Sequence, residues 1–244
     1  SKPSYLGDKF VVLKIGIVGL GKMGLLHSSI LNATPDVDVV AVCEKSNLIR
    51  RFGSRAFKDI KIVEQVSQLA PFSLDCIFVT TPPSSHLPVV REIYSRGLAR
   101  GIFVEKPLAS SFEEAKELCD LASLHGGLNV VGYHKRFSLI FEQAAKVISE
   151  GVLGEITKFG GHAYSSDFVG AESSPNRSWS RGGVLRDLGC HVIDTALWVL
   201  GDLKAVSGSP HSNNSPESSA LEMAFELAIS NEMRGQFEVS SIRE

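Results

Sequence analysis

The sequence predicts an α/β chain, with a doubly wound parallel sheet followed by an α+β domain that has an open, largely antiparallel sheet. Three observations predict it. A glycine run, Val18-Gly19-Leu20-Gly21-Lys22-Met23-Gly24, separates an apolar segment from one with helical apolar spacing. Apolar, β-branched runs then alternate with helix-spaced segments as far as about residue 134. Beyond Ser138 the alternation stops, and two strand-like runs stand close together, the pattern of an antiparallel pair. The expected domains are residues 10–134 and 135–244.

Residues 10–17 are broken only by Lys14 and Gly16 and read as the first buried strand. Strand, glycine turn, helix is the context in which G-x-G-x-x-G means dinucleotide binding. Gly19 permits the tight turn, Gly21 lets backbone approach a pyrophosphate, and Gly24 lets the helix pack closely. Lys22 and Met23 sit in the same turn, where the helix start offers unpaired N–H groups to phosphate. Residues 37–43 form the second strand, ending at Glu44-Lys45. Glu44 stands where an acid accepts hydrogen bonds from the adenosine ribose, which favours NAD. Lys45 beside it admits a 2′-phosphate, so NADP stays open.

A helix is expected over residues 47–57, a short strand over 61–63, and a helical turn over 64–70 stopped by Pro71. Residues 75–79 are the next strand and run into Thr80-Thr81-Pro82-Pro83-Ser84-Ser85-His86. Its hydroxyls lie at a strand's carboxyl end, where open α/β sheets bind ligands. A helix over 87–96 and a strand over 101–104 follow, the strand closed by Glu105-Lys106-Pro107. Ser110 to Glu114 resembles a capping box opening a helix that reaches His125. Residues 128–131 are the last strand of this sheet. In the second domain, helices are expected over 140–150 and 185–200. Strands are expected over 155–164, near Ala205, and over 221–229 and 233–239. Trp179 lies in a polar loop spanning 165–181.

The 244 residues are 43% hydrophobic and 21% charged, an ordinary soluble composition. A net charge of −2 argues against nucleic acid or an anionic membrane as partner. No apolar run is long enough to span a membrane, and the polar first residues carry no signal-peptide core. Cys43, Cys76, Cys119 and Cys190 form no C-x-x-C pair and no zinc spacing. They read as buried free thiols in a reducing cytoplasm.

Four stations occur in order: Gly19 to Gly24; Thr80-Thr81-Pro82 with His86; Glu105-Lys106-Pro107; and Gly183-x-x-x-Asp187-x-x-x-His191-x-x-Asp194. In this order and spacing they resemble the glucose–fructose oxidoreductase, inositol dehydrogenase and rhizopine-catabolism (Gfo/Idh/MocA) family. The resemblance runs from Val12 onward, and its specific parts are Glu-Lys-Pro and Asp-x-x-x-His. It implies a Rossmann domain holding NAD through the glycine turn, Glu44, Lys45, Thr80, Thr81, Pro82, His86 and Glu105. It also implies that Lys106 lies near the nicotinamide, that Asp187 and His191 complete the site, and that Arg136 matches a basic residue in relatives. His134, at the last strand's end, and Trp179 are the further candidates for substrate contact. Relatives run past the point where this chain stops, so the second domain reads as C-terminally incomplete. A fragment, a partner chain completing the sheet, and lost activity remain the alternatives.

The chemistry of these residue types agrees with that resemblance. Asp187 and His191 at i and i+4 share a helix face. A neutral imidazole takes a proton from an alcohol near neutral pH, and an ammonium stabilises the alkoxide that develops. Alone, His191 would read as a core histidine satisfied by Asp187; with the cofactor motif and Lys106 it reads as a general base. A metal on Asp187, His191 and Asp194 is not assigned, because no third ligand clearly converges. The expected activity is NAD(P)-dependent oxidation of a secondary alcohol in a sugar, sugar acid or cyclitol, by a homo-oligomer. The alternative is a nucleotide-binding regulatory or assembly protein with a vestigial site.

Overall fold

The computed structural model describes residues 12–165, 184–210, 222–228 and 234–240, and the chain divides into two compact units, Ser1–Val131 and Gly132–Glu244. The first holds β1 (Leu13–Val18), α1 (Lys22–Ala33), β2 (Val37–Cys43), α2 (Asn47–Ala56), β3 (Lys61–Val63), β4 (Cys76–Val79), α3 (His86–Ser95), β5 (Gly101–Val104), α4 (Phe112–His125) and β6 (Leu128–Val131). Its six strands pair in the order β3-β2-β1-β4-β5-β6, and every pairing is parallel. The direction of winding therefore reverses between β1 and β4, the switch point at which such sheets open a crevice.

Alternate residues of the central strands feed two cores. Ile15, Ile17, Val39 and Val42 pack with Cys76, Phe78, Leu25 and Ile49. Ala41, Ile77, Val79, Ile102 and Val104 pack with residues of α3 and α4. Burial on both faces explains why these strands read as continuous apolar runs rather than alternating ones.

Two local expectations change. Pro71 does not stop its helix but lies inside a 3₁₀ segment, Val66–Phe72, which ends at Ser73 with φ of 49°. A 3₁₀ turn uses the same φ that the proline ring fixes, so the ring is tolerated there. At α4, Ser111 accepts from the Glu114 N–H as expected. The Glu114 carboxylate, however, reaches back to the N–H of Ser110 rather than closing the box on Ser111.

The second unit contains a 3₁₀ turn (His134–Phe137), α5 (Leu139–Ser149), β7 (Phe159–Tyr164), a π-helical turn (Leu185–Gly189), α6 (Cys190–Leu200), β8 (Lys204–Pro210), β9 (Glu222–Ala228) and β10 (Arg234–Ser240). The sheet order is β7-β10-β9-β8. The β8–β9 and β9–β10 pairs are antiparallel, and β10–β7 is parallel. The expected strand over 155–164 begins only at Phe159, where its pairing with Gly235 begins. Val184, Ala196, Leu227, Phe237 and Val239 form this unit's core. Among the described residues no helix is long and apolar enough to cross a membrane.

No disulfide joins the four cysteines, of which only Cys43 is fully buried, Cys76 and Cys190 are half-buried, and Cys119 is exposed on α4. The expectation of four buried thiols therefore fails at Cys119. It belongs to the polar outer side of a helix whose spacing does not reserve that position for the core. Burial pushes the Cys43 thiol up to about 12 and the Cys76 thiol up to about 11. Only the thiolate reacts. An alkylating reagent at neutral pH should label Cys119 ahead of Cys43 and Cys76, which should react only on unfolding; peptide mass analysis of a time course reads this out.

Candidate active site

The loops that follow β1, β2, β4 and β5 gather at the carboxyl edge of the first sheet. Gly19 takes φ of +98°, and its N–H donates to the Cys43 carbonyl at 2.8 Å. A Cβ at Gly24 would lie 1.9 Å from the Gly19 carbonyl oxygen. The first turn of α1 thus passes directly beneath the loop, and only hydrogen fits there. At Gly21 nothing lies within 4 Å of where a Cβ would be, so open space adjoins the helix start. No side chain caps α1, and no acidic residue stands in its first turn. Lys22, the first residue of α1, is exposed, and Met23 is half-buried.

The two threonines divide their work. The Thr80 hydroxyl lies 2.7 Å from the Gly19 carbonyl and 3.1 Å from that of Val18. It shapes the glycine turn instead of facing a ligand. The Thr81 hydroxyl is buried without a hydrogen-bond partner, which costs about 1–3 kcal/mol if nothing else meets it. Pro82 is exposed beside it. An uncapped helix start, open space at Gly21 and an orphaned hydroxyl at the switch point together fit a dinucleotide.

Glu44 is already engaged. Its Oε2 accepts from the Leu20 N–H and its Oε1 from the Ser46 N–H, both at 2.7 Å. It ties the glycine turn to the end of β2 and retains lone pairs for a ribose. Lys45 is exposed. Sequence reasoning missed Arg50, which donates to the Glu44 and Lys45 carbonyls and pairs with Glu64 at 3.1 Å.

Two of the expected cofactor contacts are buried and engaged within the chain. His86 is fully buried, with Nε2 2.8 Å from the Thr81 carbonyl and Nδ1 3.0 Å from that of Leu108. Both nitrogens face backbone carbonyls, of which a neutral imidazole donates to one, so His86 is enclosed between two loops. Glu105 has one oxygen against His27 and the other accepting from the Lys106 N–H, and it is set apart from Glu44 by its burial, being only 7% exposed. The Lys106 side chain is half-buried at the end of β5.

In the second unit, the His134 and His191 rings meet edge to face at 5.1 Å, and Tyr133 approaches His191 at 6.3 Å. Burial, followed by the charges of Cys190 and Asp194, pushes the Tyr133 phenol up to about 12. Tyr133 was not among the sequence candidates. Arg136 is not open for substrate along its fork: Nε and one terminal nitrogen bind both oxygens of Asp194, at 2.9 and 2.6 Å. Asp187 lies in the π turn and His191 in the first turn of α6. The expected unbroken α-helix is therefore interrupted. A π turn widens the ring by one residue, which apolar spacing does not register. Trp179 lies outside the described residues.

Among the described residues no group of three metal-ligating side chains is suited to hold an ion. A depression of about 470 Å³ lined by Asp38, Val40, Phe57 and Asp59 lies at the amino end of β2, away from the loops above.

A six-stranded parallel sheet with this glycine turn defines a dinucleotide-binding domain. Residues 13–133 match the family model for the NAD-binding Rossmann fold of an oxidoreductase family, and residues 141–244 match the GFO/IDH/MocA C-terminal domain. The chain belongs to the GFO/IDH/MocA oxidoreductase family, and its first domain is an NAD-binding one. It is 29% identical over 207 residues to D-glucoside 3-dehydrogenase of Escherichia coli strain K12, covering 82% of this chain and 57% of the relative. It is 25% identical over 213 residues to scyllo-inositol 2-dehydrogenase (NAD(+)) of Bacillus subtilis strain 168, covering 84% and 59%. The chain thus spans less than two thirds of the length of these relatives. The fold is shared with scyllo-inositol dehydrogenase from Lactobacillus casei, solved with bound NAD(H) and scyllo-inositol. That match has a TM-score of 0.82 at 19% identity, over 93% of this chain and 69% of the other.

The Arg136–Asp194 pair predicts an asymmetry, since the arginine side chain is 40% exposed and the aspartate 8%. Arg136→Met strands a buried carboxylate and should cost up to about 3–5 kcal/mol. Asp194→Asn leaves a guanidinium that water can reach, and should cost about 1 kcal/mol. Urea unfolding of both variants checks the order.

Proposed function

We propose that this chain is an NAD-dependent oxidoreductase that moves a hydride between nicotinamide and a secondary alcohol of a sugar, sugar acid or cyclitol. The observation that carries the reading is the switch point, with its glycine turn, open space at Gly21 and unsatisfied Thr81 hydroxyl, in a chain of an oxidoreductase family. The named activities of the relatives supply the substrate class.

In this reading His191 takes the proton from the substrate hydroxyl while Lys106 holds the oxygen and stabilises its developing charge. Asp187 orients the substrate or the imidazole, and His134 adds a polar edge beside His191. When bound, nicotinamide supplies the hydride acceptor. The products are ketone, reduced cofactor and one proton, which His191 passes to solvent. Absorbance of reduced nicotinamide, followed with scyllo-inositol, other inositols and D-glucosides, tests the activity. No reduction with any of them by folded, NAD-binding protein overturns it.

Lys106→Met and His191→Asn should leave NAD affinity within a few-fold of the parent, because pyrophosphate and ribose are held elsewhere. Turnover should fall about 10²–10³-fold for the lysine and about 10²–10⁴-fold for the histidine. Near-parental turnover in both would make the two residues structural.

Glu44 selects NAD in the same reading. Glu44→Ala should weaken NAD binding by about 1–3 kcal/mol. NADP should lose less, but not nothing, since the Leu20 N–H also loses its acceptor. Calorimetric titration with both nucleotides decides it, and equal losses would remove Glu44 as selector.

A further inference from the structure

Glu105, the residue before Lys106, has a partner that comes from the opposite end of the cofactor domain's sequence. His27 stands on α1, the helix opened by the glycine turn, and its Nε2 lies 2.6 Å from Glu105 Oε1. A carboxylate only accepts, so this bond requires the imidazole proton on Nε2. The second carboxylate oxygen accepts from the backbone N–H of Lys106 at 3.1 Å. The Glu105 N–H is in turn fixed to the Val79 carbonyl at 2.9 Å.

The surroundings hold this arrangement rigid. The His27 ring meets Phe78 at 5.5 Å and Phe103 at 5.1 Å, and the two phenyl rings stack on each other at 4.5 Å. The Glu105 side chain is 9% exposed and that of His27 19%. A carboxylate so short of water depends on the few donors it has. Two of them set its orientation: the helix that follows the pyrophosphate turn, and the residue next to it in the chain.

We propose that His27 is a positioning residue for Lys106, acting through Glu105. A chain of two hydrogen bonds connects α1 to the lysine, so the loop that receives the cofactor and the ammonium that meets the substrate oxygen share one support. The inference rests on the reading of Lys106 given above, and the test separates the two.

Three variants are compared. His27→Leu keeps apolar bulk between the phenyl rings and removes the donor. His27→Gln keeps an N–H donor. Glu105→Gln, nearly isosteric, removes one of the two acceptor oxygens. The first readout needs no turnover: acetic anhydride labelling of Lys106, measured by peptide mass against exposed Lys61 on β3. The second is kcat beside NAD affinity, on whichever polyol of the panel the parent oxidises.

His27→Leu and Glu105→Gln should change relative Lys106 labelling by about threefold or more and lower kcat by about ten- to a hundredfold, the scale expected for small misplacements. NAD affinity should stay within a few-fold, and His27→Gln should recover most of both. If the parent oxidises nothing but the labelling pattern holds, the positioning stands and the proposed activity falls. Unchanged labelling or unchanged turnover in His27→Leu, with an active parent, overturns the positioning. Loss of folding in all three variants overturns it too, because the contact is then only glue between helix and sheet.

Discussion

The fold around the site depends on one close approach, that of Gly24 to the carbonyl of Gly19. With 1.9 Å between that oxygen and the place a Cβ would occupy, any side chain would push α1 away from the end of β1. The approach aims the start of α1 at the crevice and leaves the space beside Gly21 open. It also brings Thr80 close enough to donate to the same loop. The positive φ of Gly19, the buried hydroxyl of Thr81 and the two bonds of Glu44 are arranged around this contact. Steric exclusion at one hydrogen atom is thus translated into a site for an anion.

Much of this was legible in the sequence because its causes are local. A glycine that must turn, a β-branched run buried on both faces and a serine that caps a helix each leave a residue-level trace. The first sheet's strands over 37–43, 61–63, 101–104 and 128–131 fall where the pattern puts them. Pairing was less legible. Nothing in residues 155–158 says that β7 waits for a partner at Phe159, because the partner is β10. The π turn at Leu185–Gly189 was hidden for a related reason: one extra residue in a ring leaves the apolar rhythm almost unchanged.

Polar side chains were the least legible. His86, Glu105 and Arg136 carry the residue types of a binding site, yet each is taken up by the chain itself. Two of the residues that take them up, His27 and Asp194, are remote in sequence, and nothing in the pattern pairs them with Glu105 and Arg136. A sequence shows which groups are capable of chemistry; which of them are already spoken for is a property of the packed chain. Glu44 is the intermediate case, bonded twice by backbone but with lone pairs to spare.

The parallel pairing of β7 with β10 bears on how the chain acquires its structure. In the first unit the β1–β2, β2–β3, β4–β5 and β5–β6 pairs each close after a short crossover, and only β1 with β4 closes a long loop, from Ile15 to Cys76. In the second, β7 can complete its ladder only when residues beyond Gly235 arrive. Distant pairing of that kind slows assembly, because loop-closure entropy must be met before the contact forms. On a ribosome the nucleotide-binding half can therefore mature early, while β7 waits with an open edge. Until β10 is made, nascent β7 is an unpaired edge to which other chains can add.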